Sequence, residues 1–419
     1  MGEIQETPRA PVRNALANRR LLEQLRLICS CGAGLEAVAG QVCTLVRDLI
    51  GADSGSIFWL DRNGQPAGFF HDCAPAELKD LFVTRFDELF SAPGEFNMVT
   101  LTEVVGPAVG RMLTPQMRAQ FRASNVYRHL CTPLGHHECL DIRLEHEGCG
   151  VAVVVLWDRE GRPFTERDVA AAQPLRPLLE QALRTRREDV AWRSLGSRTA
   201  HFITDLAGEL LLAMDEEAET LLSRAHLLRQ NVPMAQSPRE APAFSRGLAA
   251  MLGQGAPAEM YLPVANGRLS VRASRSRRVG VEGDGEAAMQ MFVSVDLETA
   301  VSLHVIEQLS ALPLTFLQKE IALFAAQGGA RSDCEDRFGV SQEALKKHLR
   351  TIYETAGVIN GRVFASGSPR NCKSAPPGCC KGPFTTLLGN SEGPLSERRG
   401  AYRPVNDTAL RAKISASRM

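Results

Sequence analysis

Three basic side chains, Lys346, Lys347 and Arg350, are spaced to act together. A helix would place them opposite an apolar stripe at positions i, i+4 and i+7, formed by Leu345, Leu349 and Ile352. Lysine and arginine bind guanine O6 and N7 or backbone phosphates when such a helix lies in the major groove. The pattern indicates a DNA-binding helix, and the alternative interpretation is an ordinary solvated surface.

Two shorter helices are predicted just before this basic helix. Each opens with a capping box, formed by Thr315 with Gln318 and by Ser332 with Glu335. The second, short helix has Cys334 and Phe338 as its apolar positions. A tight turn, Gly339-Val340-Ser341, then leads to the basic helix, where Ser341 is the N-cap. The order of elements is that of a helix-turn-helix, whose exposed N–H groups at the helix start bind phosphate.

Residues 305–362 resemble the LuxR-type helix-turn-helix. The similarity is carried by residues 314–322, 326–328, 339–341, 345–353 and 357–358. The resemblance implies that Lys346, Lys347 and Arg350 face the DNA groove. It also implies that Ser341 begins the recognition helix and that His348 lies near the DNA backbone. The partners expected from the resemblance are double-stranded DNA and a second copy of the chain in a homodimer.

The sequence departs from the LuxR pattern at several positions. Ala330-Arg331 stand where the family has Ser-Asn, Cys334-Glu335 where it has Ile-Ala, and Ala344 where it prefers Thr. A glutamate between packed helices costs stability unless its carboxylate reaches solvent. The fourth, dimerising helix of the family is also hard to find. These departures leave open an alternative function: a ligand-binding or protein-interaction module whose degenerate helix-turn-helix no longer binds DNA.

The last segment, residues 363–419, differs in composition from the rest of the chain. It carries nine Lys/Arg and three Asp/Glu, a net charge of +6, against −6 for residues 1–362. It is rich in Pro, Gly and Ser and has no sustained apolar period, so a disordered basic tail is predicted. Its cysteines, Cys372, Cys379 and Cys380, lack the paired spacing of a zinc site. A reading-frame change after about Gly361 is a further hypothesis for its origin.

Residues 14–185 predict a mixed α/β domain. Apolar residues at helical spacing are followed by a hairpin turning at Asn63-Gly64, and later by a second strand pair at 140–144 and 149–157. Residues 151–156 are apolar on both faces, which predicts a central strand. Thr165 and Asp168 resemble a capping box before the exit helix. This layout, with the exit at 164–168, resembles a GAF domain, a ligand-sensing module built on one antiparallel sheet.

Residues 174–195 predict a long charged helix that leads to a second sheet domain at 197–297. In that domain, strands at 202–204 and 209–213 flank a turn, and Asp215 caps a helix. Asn266-Gly267 predicts a hairpin, and a further strand is expected at 289–295. The order of these elements resembles a PAS domain, and the only candidate ligand in it, His226, is more typical of an ordinary surface or core residue.

Other chemistry finds little support in the sequence. There is no P-loop, HExxH or GxSxG motif, so we expect no enzyme and no cofactor. The best metal-like cluster, His136-His137-x-Cys139, lies between predicted strands, and no metal site is expected there. The 11 cysteines are irregularly spaced, which favours buried thiols over a disulfide framework. The longest apolar run is too short to span a bilayer and no secretory segment is recognised, so no membrane partner and a cytoplasmic location are predicted.

The sequence therefore predicts an α+β multidomain protein. Antiparallel-sheet domains of GAF-like and PAS-like type precede an all-α helix-turn-helix domain and a disordered tail. The predicted function is DNA-binding transcriptional regulation, controlled by the N-terminal sensory domains and by a small-molecule effector.

Overall fold

Strands with apolar residues on both faces form the first sheet, which is antiparallel throughout. Its strands are β1 (Ser54–Leu60), β2 (Pro66–His71), β3 (Val109–Arg111), β4 (Glu138–His146) and β5 (Cys149–Asp158). The strand order is β2-β1-β5-β4-β3, so the central position predicted for residues 151–156 is confirmed. The hairpin predicted at Asn63-Gly64 is supported by the pairing of β1 with β2, while the turn itself lies outside the described residues.

The computed structural model describes residues 15–60, 66–73, 75, 78, 81, 108–111, 115–147, 149–158, 163–184, 190–195, 199–225, 239–277, 289–356, 358–359 and 362–363. Residues 1–356 form one unit and residues 357–419 a second unit. In the second unit, two short strands pair as a hairpin, β13 (Val358–Ile359) with β14 (Arg362–Val363). The disorder predicted for the tail falls beyond these strands, outside the described residues.

Helices cover both faces of the first sheet. They are α1 (Ala15–Cys29), α2 (Ala39–Ile50), α3 (Pro115–Ala123), α4 (Glu166–Ala172) and α5 (Arg176–Arg184). Helix α2 packs on β1 and α5 packs on β4, whereas Phe121 of α3 lies in the core on the opposite face. The capping box predicted at the start of α4 is confirmed, because the Thr165 N–H donates to Asp168 Oδ2 at 2.7 Å.

The second sheet contains the strand order of the first and has two additional strands. Its strands are β6 (Trp192–Ser194), β7 (Ala200–Thr204), β8 (Leu210–Met214), β9 (Arg239–Glu240), β10 (Ala258–Val264), β11 (Gly267–Arg277) and β12 (Met289–Ala300). The order is β10-β11-β12-β7-β8-β9, with β6 pairing β12. Helices α6 (Glu216–Arg224) and α7 (Ser245–Gly253) pack against it. As predicted, Asp215 caps α6 by accepting from the Ala218 N–H at 2.6 Å.

The long helix predicted for residues 174–195 is wrong. Helix α5 ends at Arg184, and Trp192–Ser194 form β6, which pairs with the end of β12. The Arg268 guanidinium lies 4.5 Å from the centre of the Trp192 ring. Pairing with a distant strand satisfies the backbone groups of this segment, and the helical pattern of neighbouring residues carries no information about that partner.

Four helices follow the second sheet: α8 (Val301–Ala311), α9 (Phe316–Ala326), α10 (Arg331–Phe338) and α11 (Gln342–Thr355). The first capping box is confirmed, since the Thr315 N–H donates to Gln318 Oε1 at 2.9 Å. The box predicted for Ser332 and Glu335 is wrong. Helix α10 begins two residues earlier, with Ala330 at the N-cap, and the Ser332 hydroxyl donates to Asp333 instead.

Side-chain contacts tie the first sheet region to the rest of residues 1–356. The N-cap of α2, Val38, supplies no capping side chain. Its place is taken by Asn266, whose Oδ1 accepts from the Gly40 N–H at 2.5 Å and whose own N–H donates to Glu36 O at 3.1 Å. Asn266 has the left-handed conformation, φ 71°, expected at this hairpin turn. The cap of a helix in the first region thus comes from a turn of the second.

The mixed α/β architecture with antiparallel sheets, expected from the sequence, is confirmed by these two sheets. Within the described part of the chain, the helices are all too short or too polar to cross a membrane.

Candidate functional site

A three-residue turn joins α10 to the basic helix α11. Gly339 has φ 62°, a left-handed conformation that is cheap only for glycine, and it ends α10. Ser341 then caps α11, because its Oγ accepts from the Ala344 N–H at 3.3 Å. The N-cap role predicted for Ser341 is therefore present in the structure, and its side chain is exposed.

The basic residues of α11 lie on its exposed side. Lys346, Lys347 and Arg350 are exposed, and His348 is half-buried. On the opposite side Leu345 and Ile352 are buried, whereas Leu349, predicted to belong to the same buried stripe, is only half-buried. Arg350 also donates to Glu354 Oε1 at 2.8 Å, one turn along the helix. This bond holds its guanidinium along the helix axis in the structure.

Aromatic and thiol packing holds α10 against α9. Phe338 meets Phe324 edge to face, with ring centres 5.8 Å apart, and the Arg337 guanidinium lies 4.8 Å from the centre of the Phe324 ring. Cys334 is buried, and burial raises the pKa of its thiol. Glu335 is half-buried. Helices α10 and α11 are thus positioned by apolar contacts beneath, which leave the basic side chains of α11 in solvent.

The charge of this helix pair is balanced. Residues 331–355 contain five Lys/Arg and five Asp/Glu, so the net charge is zero with histidine neutral. A positive surface here comes only from the arrangement of Lys346, Lys347 and Arg350 on one side of α11. An attraction to phosphate would be local, made by a few side chains rather than by a broad basic patch.

A second cluster of functional groups, which was not predicted from the sequence, lies on the first sheet. His71 ends β2, and His136 lies just before β4, yet their Nε2 atoms are 3.1 Å apart. Ser54 Oγ lies 3.1 Å from the same His136 Nε2. The Cys73 sulfur lies 3.7 Å from His71 Nδ1. Both imidazoles are buried, at 1% and 4% exposure, while Cys73 is exposed.

The side chains of the motif His136-His137-x-Cys139, where the sequence predicted no metal site, do not come together. The His137 Nδ1 lies 3.2 Å from the Tyr127 hydroxyl, away from His71. Cys139 is buried in the apolar core beside Cys131 and Trp157. Of these three residues, only His136 belongs to the histidine cluster. No signal in the sequence links His136 with His71, because 65 positions separate them.

Neighbouring groups fix the histidine cluster in place. The Trp157 ring stacks on His136, with ring centres 5.3 Å apart and an interplanar angle of 7°. Asp72 Oδ1 lies 3.6 Å from His71 Nδ1. The other oxygen of Asp72 accepts from Arg47 at 2.8 Å and from the Gly55 N–H at 3.1 Å. Both rings and the nearby carboxylate are therefore held by packing and hydrogen bonds.

A buried acid, Asp141, lies on the same face of the sheet. It is in β4, and its Oδ2 lies 3.7 Å from Arg143 Nε. Burial raises the pKa of the Asp141 carboxyl to about 7, although the Arg143 charge acts in the opposite direction. Asp141 pairs in register with Val155 of β5, which pairs with Ser56 of β1. The acid is thus two strands from β1, within the same enclosed layer.

Most cysteines of the described residues are buried free thiols, as predicted. Six of the eight are buried, and Cys73 and Cys149 are exposed. Burial raises the pKa of the thiols of Cys29, Cys31, Cys43, Cys131 and Cys139. Thiols held protonated in this way are poor nucleophiles, so the core cysteines contribute packing.

An open cavity of about 620 Å³ lies where the two sheet regions meet. Residues from α1, α2, β6 and α8 line it, including Gln24, Thr44, Arg193, His304 and Glu307. Its size is that of small-molecule sites, which span about 300–1,000 Å³.

Comparisons with known proteins give structural likenesses only. No protein-family model matches the chain, and no curated protein matches it. The GAF domain of Acinetobacter phosphoenolpyruvate-protein phosphotransferase has 12% identity and a TM-score of 0.29, with 41% of this chain and 94% of that chain covered. The bacteriophytochrome RpBphP3 of R. palustris has 9% identity and a TM-score of 0.27, with coverages of 68% and 64%. A sensor region of a sensor histidine kinase has 12% identity and a TM-score of 0.16, with coverages of 69% and 93%. At these TM-scores the likenesses establish nothing about this chain's function.

Proposed function

We propose that the chain is a signal-sensing regulator that binds double-stranded DNA through α10 and α11, and that it is not an enzyme. The observation that carries the proposal is the exposed row of Lys346, Lys347 and Arg350 on a capped helix. That helix follows a second helix after a three-residue glycine turn. Two helices joined in this way place the second in the major groove, where its side chains contact bases and phosphates.

Each residue has a distinct task in this proposal. Lys346, Lys347 and Arg350 contact bases or phosphates, and His348, which is half-buried, lies near the DNA backbone. Ser341 fixes the start of α11, where unpaired backbone N–H groups bind a phosphate. Arg350 exchanges its ion pair with Glu354 for a DNA contact. That exposed pair is weak, so breaking it costs little.

The balanced charge of α10 and α11 limits how strongly one copy binds. Each phosphate contact contributes a slope of about −0.9 to the dependence of log K on log salt. With three basic residues in α11, a single copy has a shallow slope, and a homodimer that reads two half-sites doubles it. Dimerisation is therefore part of the proposal.

Sensing is coupled to DNA binding through α1, α8 and α9. The Gln327 amide donates to Cys31 O at 2.8 Å, and the Arg26 guanidinium lies 5.9 Å from the centre of the Phe316 ring. A small-molecule effector in the 620 Å³ cavity would contact α1 and α8 at once. An effector that binds one arrangement of these helices better shifts the population toward that arrangement.

Selection of bound DNA from a random or genomic pool tests the proposal. The full chain is compared with Lys346→Ala and Arg350→Ala variants. Arg19→Ala is the matched control, because Arg19 pairs with Glu23 at i and i+4 as Arg350 pairs with Glu354. We expect a two-fold-symmetric site to be enriched by the full chain and by the control, and lost in the two α11 variants.

The alternative function is a ligand-binding or protein-interaction module that no longer binds DNA. It is favoured by the zero net charge of residues 331–355 and by the half-buried Glu335. If the full chain enriches no site, or if its binding does not weaken as salt rises, this alternative replaces the proposal.

A further inference from the structure

The histidine cluster of the first sheet has the composition of a metal site. We propose that His71, Cys73 and His136 bind a divalent transition-metal ion of the Zn²⁺ type. Their ligand atoms all lie within 4.8 Å of one another. Imidazole nitrogen and thiolate sulfur are the ligands that Zn²⁺ prefers, and three protein ligands leave a fourth position for water. The proposal is independent of DNA binding by α11.

The two imidazoles are already close to metal-binding geometry. With bonds of about 2.0–2.1 Å, two nitrogens of a tetrahedral zinc site are roughly 3.3 Å apart. The Nε2 atoms of His71 and His136 are 3.1 Å apart. A separation of roughly 3.6 Å between nitrogen and sulfur follows from the same geometry. The sulfur of Cys73 lies 3.7 Å from His71 Nδ1 and within 4.8 Å of the other ligand atoms, so metal binding requires its side chain to move toward the two Nε2 atoms.

A neighbouring carboxylate would orient His71 toward the metal. In the structure the Cys73 N–H donates to His71 Nδ1, so His71 carries its proton on Nε2 and donates it to His136. When the metal takes Nε2, that proton moves to Nδ1, which faces Asp72 Oδ1 at 3.6 Å. Carboxylates on the second nitrogen of metal-bound histidines fix the ring and raise its basicity.

The coordination step is balanced by the loss of one proton. The Cys73 thiol releases its proton to solvent and binds as the thiolate, while both histidines bind as neutral rings. Cys73 is exposed and lies beside two buried imidazoles, so the metal has a route from solvent to the site. Ser54 Oγ, 3.1 Å from His136 Nε2, is placed to hydrogen-bond the fourth ligand.

Co²⁺ titration of the full chain, after removal of metal with a chelator, tests the site. We expect one equivalent to bind, with the visible absorption of a tetrahedral ion and a thiolate-to-cobalt charge-transfer band, and Zn²⁺ to displace it. Cys73→Ser should abolish the charge-transfer band. Because Cys73 is exposed, this substitution leaves the core intact even if variants of the buried histidines fail to fold.

Three control variants make the test specific. Cys149→Ser removes the other exposed thiol of the described residues, and His137→Gln changes the histidine next to His136. A triple Ser variant of Cys372, Cys379 and Cys380 removes the thiols of the tail. The band should survive in all three. The proposal would be overturned if no Co²⁺ binds, or if the charge-transfer band persists in Cys73→Ser. The two histidines would then be only a hydrogen-bonded pair.

Discussion

The two antiparallel sheets share a strand order but bury their side chains differently. Strand β7 occupies in the second sheet the position that β1 occupies in the first. Six consecutive residues of β1 are buried, whereas buried and half-buried residues alternate along β7. The first sheet is covered on both faces, and the second sheet has one face packed on its core.

The difference decides where polar chemistry occurs. On the first sheet, polar groups such as His71, His136 and Asp141 are enclosed, so their charges and protons are sensitive to small changes. On the outer face of the second sheet the charged groups form ion pairs that are exposed or half-buried. There Arg272 contacts Glu259 at 2.9 Å, and Arg268 contacts Glu298 at 2.6 Å. One topology therefore supports an enclosed site in one region and a solvated surface in the other.

The largest expected effect on the free energy of unfolding comes from substitutions in β1 and β7, at two neighbouring residues of each strand. Ile57 and Phe58 are both fully buried, so Ile57→Ala and Phe58→Ala should each lower the free energy of unfolding by about 2–5 kcal/mol. In β7, Phe202→Ala should cost about 3–5 kcal/mol and Ile203→Ala about 1 kcal/mol or less, because Ile203 is half-buried. Urea denaturation measures all four. An equal loss for Ile203 and Ile57 would mean that the second sheet is covered on both faces.

A smaller effect, dependent on pH, is expected at Asp141. Its pKa is raised to about 7 in the folded state from an ordinary 3.8, so the folded state keeps a proton that the unfolded state loses. The stability that the protonated Asp141 gives to the folded state is complete below about pH 4 and is lost as the pH rises to about 7. Asp141→Asn should therefore gain stability over the unchanged protein, by a few kcal/mol at most, between pH 5 and pH 8.

Glu259→Gln on the second sheet is the control for Asp141→Asn. The pKa of Glu259 is lowered, first by the Tyr261 hydroxyl that donates to it and then by Arg272. The carboxylate is therefore ionised in both states above pH 5, and its removal should leave the pH profile between pH 5 and pH 8 unchanged. Chemical denaturation at each pH measures both variants, and a flat difference for Asp141→Asn would show that its carboxylate is hydrated.

The contact between the two sheet regions is tested at Asn266. Asn266→Gly keeps the left-handed turn but removes the bond to the Gly40 N–H, which should cost about 0.5–1.5 kcal/mol. Asn266→Ala should cost about 1 kcal/mol more, because alanine is strained at positive φ. Glu147, at φ 52°, is the matched position in the first sheet. Glu147→Gly should be neutral or stabilising, and a similar loss at both sites in thermal unfolding would contradict a capping role for Asn266.

The smallest effect is expected for the exposed ion pair of Arg272 and Glu259. Arg272→Ala should change the free energy of unfolding by less than about 0.5 kcal/mol, because water screens the pair. Arg143→Ala on the first sheet should cost clearly more, since it leaves Asp141 buried without its charged neighbour. The same denaturation measurement compares them. Similar effects for the two arginines would contradict the enclosed character of the first sheet.

Much of the local structure followed from the sequence. The capping box of Thr165 and Asp168 and the N-cap at Ser341 were predicted correctly, because each depends on residues a few positions apart. The hairpin predicted at Asn266-Gly267 is present, but it turns one residue earlier, since Gly267 already pairs with Val264. The exposure of Lys346, Lys347 and Arg350 also follows from helical periodicity. The prediction of a second capping box was wrong because α10 begins at Arg331. Its N-cap is therefore Ala330, which offers no side-chain acceptor.

By itself the sequence determined the type and approximate bounds of most helices and strands, since apolar periodicity and capping are properties of neighbouring residues. Only the tertiary structure decided which distant residues meet. It paired Trp192–Ser194 with β12, supplied the cap of α2 from Asn266, and brought His71 to His136. Such contacts depend on how whole strands and helices pack, and many chain arrangements are compatible with the same local pattern. The enclosed site of the first sheet therefore depends on tertiary packing, whereas the basic side of α11 follows from the helical spacing of its lysine and arginine residues.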